Sequence, residues 1–299
     1  MDLSLRAPAK INLYLHIGEA RPDGYHPIDS LFQMVDLCDR LSLEDRPAGT
    51  IELDLAGGFS GGLTGENLAL TAARLLREAS GVNLGVRIHL EKNIPIGSGL
   101  GGGSSDAAAT LVGLNRLWNL NWAKEKLWPI AARLGSDVPF FLGPPAARVS
   151  GRGEQIEGVS LCETLWIVLV FPGVSVGTPW AYAALDRERS KLTNWAPKTK
   201  ITGLPGESGA FFPDLLHQTN DFEALAFSHF PEIARAQASL GRLGATLARM
   251  SGSGSVVFGL FQEASQGEEA AGALREEWGS GNVWFCRSLK ESPLQAFLT

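Results

Sequence analysis

The stretch 95–106, Pro-Ile-Gly-Ser-Gly-Leu-Gly-Gly-Gly-Ser-Ser-Asp, limits what this chain can fold into more than any other. Its five glycines and two adjacent serines follow an alternating apolar run (Val86, Ile88, Leu90). They lead into a run with Ala107, Leu111, Leu114 and Trp118 on one helical face. The pattern predicts strand, glycine loop, helix. Glycines let backbone N–H groups approach an anion with no Cβ in the way. A helix N-terminus adds unpaired N–H groups and a partial positive charge. The segment therefore reads as a phosphate cradle.

Other readings share these residues. Ser104 and Ser105 are ordinary N-cap types, and glycine runs also make plain surface loops. Gly97, Gly99 and Gly102 fit G-x-G-x-x-G, the turn of a dinucleotide site. That turn needs a second parallel strand ending in an acidic residue about 20 residues on. Here the chain continues instead into another helical run with Leu127, Ile130, Ala131 and Leu134. No lysine follows the glycines, so a Walker loop is excluded.

Before the cradle, 9–17 alternates, with Ile11, Leu13, Leu15 and Ile17 on one face and Lys10, Asn12, Tyr14 and His16 on the other. That predicts a half-buried strand with Lys10 and Asn12 side by side on a solvated polar face. Pro22-Asp23-Gly24 is a turn that presents Tyr25 and His26, a pair able to stack on a flat ligand or to pack against the sheet. Strands are expected over 31–35, 39–43 and 51–55, a loop over 57–65, and a helix over 67–80 stopped by Gly81. Asp137 reads as the cap of a short helical turn before Pro139.

Residues 150–154 read as a crossing between domains. Beyond it the order is strand (165–171), helices (221–227, 232–243), strand (246–250), strand (255–261), helix (263–278), strand (283–287), a split β-α-β arrangement of ferredoxin-like type. The stretch 186–213, polar and proline-bearing, reads as a mobile surface excursion. Met250-Ser-Gly-Ser-Gly-Ser255 is either a tight hairpin turn or a second glycine loop facing the first across a cleft.

With 299 residues, two cores are within reach. The net charge of −6, with no basic block, disfavours nucleic acid as a partner. Cys38, Cys162 and Cys286 are widely spaced, which excludes a disulfide framework or structural zinc site and suits a reducing compartment. No signal peptide is evident, and the apolar run 165–171 is too short for a bilayer, so a cytoplasmic location without membrane contact is expected.

Pro8-Ala-Lys-Ile-Asn-Leu13, Asp23-Gly-Tyr-His26, the cradle, Gly135-Ser-Asp-Val-Pro139 and Ser251-Gly-Ser-Gly254 occur in this order over nearly the whole chain. Together they resemble the galactokinase–homoserine kinase–mevalonate kinase–phosphomevalonate kinase (GHMP) superfamily, and within it the branch acting on a cytidylyl methylerythritol. The resemblance implies an α+β, two-domain kinase. Residues 1–155 would be an ATP-binding, catalytic domain like domain 2 of ribosomal protein S5, and 156–299 a ferredoxin-like C-terminal domain. It implies Lys10 and Asp137 as the catalytic pair. It also implies ATP held by Pro95, Ile96, Gly97, Ser98, Gly99, Leu100, Gly101, Gly102, Gly103, Ser104 and Ser105, with Asn67 and Lys92 at adenine or ribose. Asn12, Tyr25, His26, Thr178 and Tyr182 would bind the cytidylyl substrate. Magnesium would be held largely by nucleotide and water, with Ser105 its protein contact, and the enzyme would be a monomer or weak homodimer. Asp106 is the awkward residue, since it places a like charge beneath the phosphates unless it points away.

Overall fold

The computed structural model describes residues 2–59, 66–161, 163–190 and 211–298. Cys162, most of the 57–65 loop and most of the 186–213 excursion lie outside them. Two sheets organise the molecule. The first joins β1 (Asp2–Ile17), β2 (Ile28–Arg46), β3 (Ile51–Ala56), β4 (Gly85–Glu91), β5 (Ala146–Gly151) and β6 (Gln155–Gly158). Its order is β3-β4-β2-β5-β6, with β1 also pairing β2. β3 and β4 run parallel, joined by helix α1 (Leu68–Ser80), and the other pairs are antiparallel.

Helix α2 (Gly102–Leu117) packs on β1 and β2, flanked by α1 and α3 (Lys124–Leu134). Nearly every side chain of α2 is buried, since helices, sheet and the short α4 (Val138–Phe141) surround it. Asp106 in its first turns is therefore enclosed, whereas Arg116 near its end is exposed.

The second sheet orders β10 (Val283–Arg287), β7 (Trp166–Val170), β9 (Val257–Phe261) and β8 (Leu247–Met250). This is the ferredoxin-like order, as expected. Helices α7 (Glu223–His229), α8 (Pro231–Arg242) and α9 (Ala264–Trp278) supply its layer, with α5 (Thr178–Arg189) beside α7. A separate core joins the sheets, setting Ile11, Leu13 and Leu100 against Ile167, Leu169 and Phe258.

Several expectations are corrected. The polar face of β1 is not solvated, because Lys10 is 3% and Asn12 1% exposed; both faces of the strand are covered. Runs 31–35 and 39–43 form one strand, β2, whose pairing with β1 shifts register between Pro8 and Ala9 instead of stopping. Residues 150–154 do not cross between domains. They close the β5–β6 hairpin, and β6 carries the first sheet to Gly158, so a division after 155 falls inside it. The N-cap of α2 is Gly101, in the left-handed conformation, not Ser104 or Ser105. The 186–213 stretch is not wholly excursion, since α5 runs to Arg189 and α6 spans Phe211–Leu216.

The chain returns to its beginning. Leu289 N–H donates to Met34 O at 2.9 Å, Gln33 Nε2 donates to Leu289 O at 3.0 Å, and Leu294 is fully buried in the first core.

Candidate active site

A cleft of about 440 Å³ opens where the glycine loop, β1, the N-terminus of α5 and the β8–β9 turn converge. The loop carbonyls are tied down one after another. Gly97 O accepts from Val176 N–H at 3.3 Å, Ser98 O from Val256 N–H at 3.0 Å, Gly99 O from Ser251 Oγ at 2.9 Å and Leu100 O from Lys10 N–H at 2.9 Å. An anion at the loop therefore meets none of these oxygens free. Helix α2 makes its first internal bond from Ser105 N–H to Gly101 O, leaving the N–H groups of Gly102, Gly103 and Ser104 unpaired within the helix. This is a cradle for negative charge. Ser98, which interrupts the glycines, turns its hydroxyl back onto Pro95 O at 2.6 Å.

The β8–β9 segment is both a hairpin turn and the second glycine loop. Ser251 Oγ accepts from Asn12 N–H at 3.2 Å while donating to Gly99 O. Asn220 holds the turn from below, donating to Met250 O at 2.9 Å and Gly252 O at 2.7 Å.

Lys10 Nζ projects from β1 beside this junction. It donates to Asn12 Oδ1 at 2.6 Å, lies 3.5 Å from Asp137 Oδ2 and stands 4.6 Å from the centre of the Phe32 ring. Burial lowers its proton affinity below that of an ordinary lysine, against the opposing pull of Asp137. Asp137 leads into α4, but its side chain makes no capping bond; the carboxylate, 31% exposed, faces Lys10 and the cleft.

Of the other expected residues, Asn67, Lys92, Pro95, Ile96, Gly97, Ser98, Gly99, Gly101, Gly102, Gly103, Ser104, Asn12, Thr178 and Tyr182 line the cleft. Asn67 also caps α1 through Ala69 N–H at 2.8 Å. Leu100 is buried behind the loop, and Ser105 Oγ is buried without a hydrogen-bond partner. Thr178 Oγ1 pairs with Ser253 Oγ at 3.1 Å. His26 stacks on Tyr182 with ring centres 5.2 Å apart, and its nitrogens reach Gly18 O at 3.0 Å and Asp186 Oδ2 at 3.2 Å. Burial raises the Tyr182 phenol to about 12. Tyr25 is not brought in. It is 52% exposed, with the Arg152 guanidinium 3.7 Å from its ring centre.

Lys92 is buried between Asp39 and Asp106, donating to Asp39 Oδ2 and, at 2.6 Å, to Asp106 Oδ2. Burial opposes its charge, but the two carboxylates together outweigh that and raise its proton affinity. Burial likewise pushes Asp106 up to about 8, with Lys92 opposing and the Asp39 charge adding. Asp106 points into this cluster, which resolves the like charge expected beneath the cradle. Asp39 escaped sequence reasoning, because a carboxylate at a strand position carries no sign of what it pairs with across the sheet. Ser253 had a signal, the Ser-Gly-Ser-Gly turn.

Among the described residues no helix is long and apolar enough to cross a membrane. The GHMP kinases N terminal domain matches residues 67–143, and the GHMP kinases C terminal family matches residues 211–280. The 4-diphosphocytidyl-2-C-methyl-D-erythritol kinase of Ralstonia nicotianae is 41% identical, over 91% of this chain and 90% of its own. That of Prosthecochloris aestuarii is 42% identical, over 91% and 94% respectively. A crystal structure of 4-(cytidine 5'-diphospho)-2C-methyl-D-erythritol kinase, 38% identical, superposes with a TM-score of 0.78 over 96% of this chain and 99% of its own. Homoserine kinase from Cytophaga hutchinsonii, only 18% identical, shares the fold with a TM-score of 0.75 over 97% of this chain and 96% of its own.

Proposed function

Since the chain belongs to the 4-diphosphocytidyl-2-C-methyl-D-erythritol kinase family of the GHMP kinases, we propose that it transfers the γ-phosphoryl group of ATP to the 2-hydroxyl of that substrate. The products are the 2-phosphate and ADP, in the methylerythritol phosphate route to isoprenoid precursors. The chain is a small-molecule kinase, and the observation that carries the finer reading is Lys10 paired with Asp137 at the edge of an amide cradle. The absence of a basic block supports a small-molecule partner over nucleic acid, and a monomer or weak homodimer in the cytoplasm suits this reading.

Phosphoryl transfer leaves a protein little covalent work, so positioning and charge stabilisation dominate. The cradle amides of α2 hold the phosphates. Asp137 accepts the proton of the attacking hydroxyl. Lys10, fixed by Asn12, stands against that carboxylate and offsets charge developing on the transferred group. Magnesium supplies charge neutralisation on the phosphate oxygens when bound. The ion would be carried mainly by nucleotide and water. The orphaned Ser105 Oγ is the protein oxygen suited to its edge.

Thr178, Tyr182 and His26 form the acceptor side, and Tyr25 joins them by leaving Arg152. Asn67 and Lys92 lie toward the adenosine end. The catalytic half is taken as the first sheet with its helices, ending at Gly158 instead of residue 155, and the C-terminal half as the rest of the chain.

Phosphorus NMR with the cytidylyl substrate, ATP and magnesium tests the reaction, with mevalonate and homoserine as control acceptors. A new phosphomonoester signal is expected with the cytidylyl substrate alone. Folded Asp137→Asn should lose about 10²–10⁴-fold in kcat. Turnover of a control instead would overturn the acceptor assignment, and near wild-type kcat in Asp137→Asn would overturn the base.

A further inference from the structure

Beneath the glycine loop lies a charged cluster that the transfer chemistry does not use. Asp39 on β2, Lys92 just after β4 and Asp106 on α2 are each 3% exposed or less. While Asp39 Oδ2 receives the Lys92 ammonium, its Oδ1 accepts from Asn93 N–H at 2.6 Å and Ile94 N–H at 2.8 Å. Those two residues immediately precede Pro95, where the loop begins. The other end of the cradle rests on the same cluster. A Cβ built on Gly102, the first residue of α2, would stand 3.3 Å from Lys92 Nζ and 2.9 Å from Ile94 Cγ2. One carboxylate thus grips the entry of the loop through backbone N–H groups and its floor through Lys92.

Stability gives no reason for this arrangement. Two carboxylates and one ammonium are taken out of water, and neutral packing of similar volume would often be as stable or more so. What Asp39 secures is geometry, because the N–H groups that would meet the phosphates belong to the segment it holds from both ends.

We infer that Asp39 is a positioning residue for the nucleotide, setting the height of the glycine loop against the first turn of α2 through Lys92 and through the Asn93 and Ile94 N–H groups. It rests on reading the cleft as a nucleotide site. Asp39 does not itself line the cleft and touches neither the acceptor nor the transferred group.

Asp39→Asn tests this role. The amide oxygen still accepts from the two backbone N–H groups, but its NH2 now faces the Lys92 ammonium, donor against donor. The KM for ATP should rise about ten- to hundredfold, the range for losing a hydrogen bond to a charged group. Both kcat at saturating ATP and the KM for the acceptor should stay within about twofold. Calorimetry with ADP should show the same loss of affinity. Asp39→Glu, which keeps a negative charge for Lys92 but shifts the carboxylate off the Asn93 and Ile94 N–H groups, should split KM from kcat in the same direction and serves if Asp39→Asn does not fold. A KM for ATP within twofold of wild type in a folded variant would overturn the inference, as would a fall in kcat with both KM values unchanged. Wild-type protein that binds no ADP would overturn the nucleotide reading instead, and calorimetry separates the two.

Discussion

Lys10 shows how much a single side chain owes to its surroundings. Its ammonium is buried against an amide oxygen, a carboxylate and an aromatic ring, and burial makes the proton easier to lose than in water. A lysine that stabilises developing negative charge works only while protonated. The alkaline limb of kcat should therefore fall at a pH below the ordinary lysine value of 10.5. Asp137 is the group that raises Lys10, so Asp137→Asn should move the limb of its residual activity to still lower pH. A pH–rate profile of both proteins reads the two shifts. The period of two along β1 puts Lys10 and Asn12 on one face, but that period does not say what covers the face. Partners from distant points of the chain, Phe32, Gly101 and Asp137 at Lys10 and Ser30 and Ser251 at Asn12, turn a solvated pair into a buried one. Asp137 reads locally as a helix cap because caps are the common use of that residue, whereas its partner lies at the other end of the first sheet's sequence.

Among the elements, the two glycine loops carry the most information and the least freedom. Gly99 has φ +81°, and a Cβ there would overlap the backbone carbonyl of Ser251. Gly99→Ala should cost about 1–3 kcal/mol from the left-handed backbone alone. It should also push the second loop away and raise the KM for ATP. Thermal unfolding and initial-rate kinetics check both effects. Ser98→Ala, which removes only the bond to Pro95 O, should change stability by about 1 kcal/mol and is the natural control. These loops were legible because glycine spacing is itself a statement about backbone approach. Helix α5 was not, because its buried positions are mainly alanine (Ala181, Ala184) and leave only a faint apolar stripe. The division between sheets was misplaced for a related reason. Gly151 and Gly153 make a hairpin turn as readily as a linker, and only the pairing of β5 with β6 distinguishes them.

As a whole molecule, the protein has two sheets but no dry gap between them. Phe258 of β9 is fully buried in the core that also contains Ile11 and Leu13 of β1. Buried Arg249 donates across the same seam to Leu13 O, and to Gln218 O at 2.6 Å. The two halves should therefore unfold together, as one calorimetric transition. Phe258→Ala, which opens a cavity in the shared core, should cost about 3–5 kcal/mol and lower that transition without splitting it. Two separated transitions would show that the seam is weaker than its burial implies. The return of residues 289–298 to the first sheet has a consequence for biosynthesis. Met34 and Gln33 wait for Leu289, and the first core for Leu294, so the first sheet, translated before the second, is completed only after it. Until residues 289–294 are made, the nascent catalytic half exposes apolar surface that chaperones can recognise.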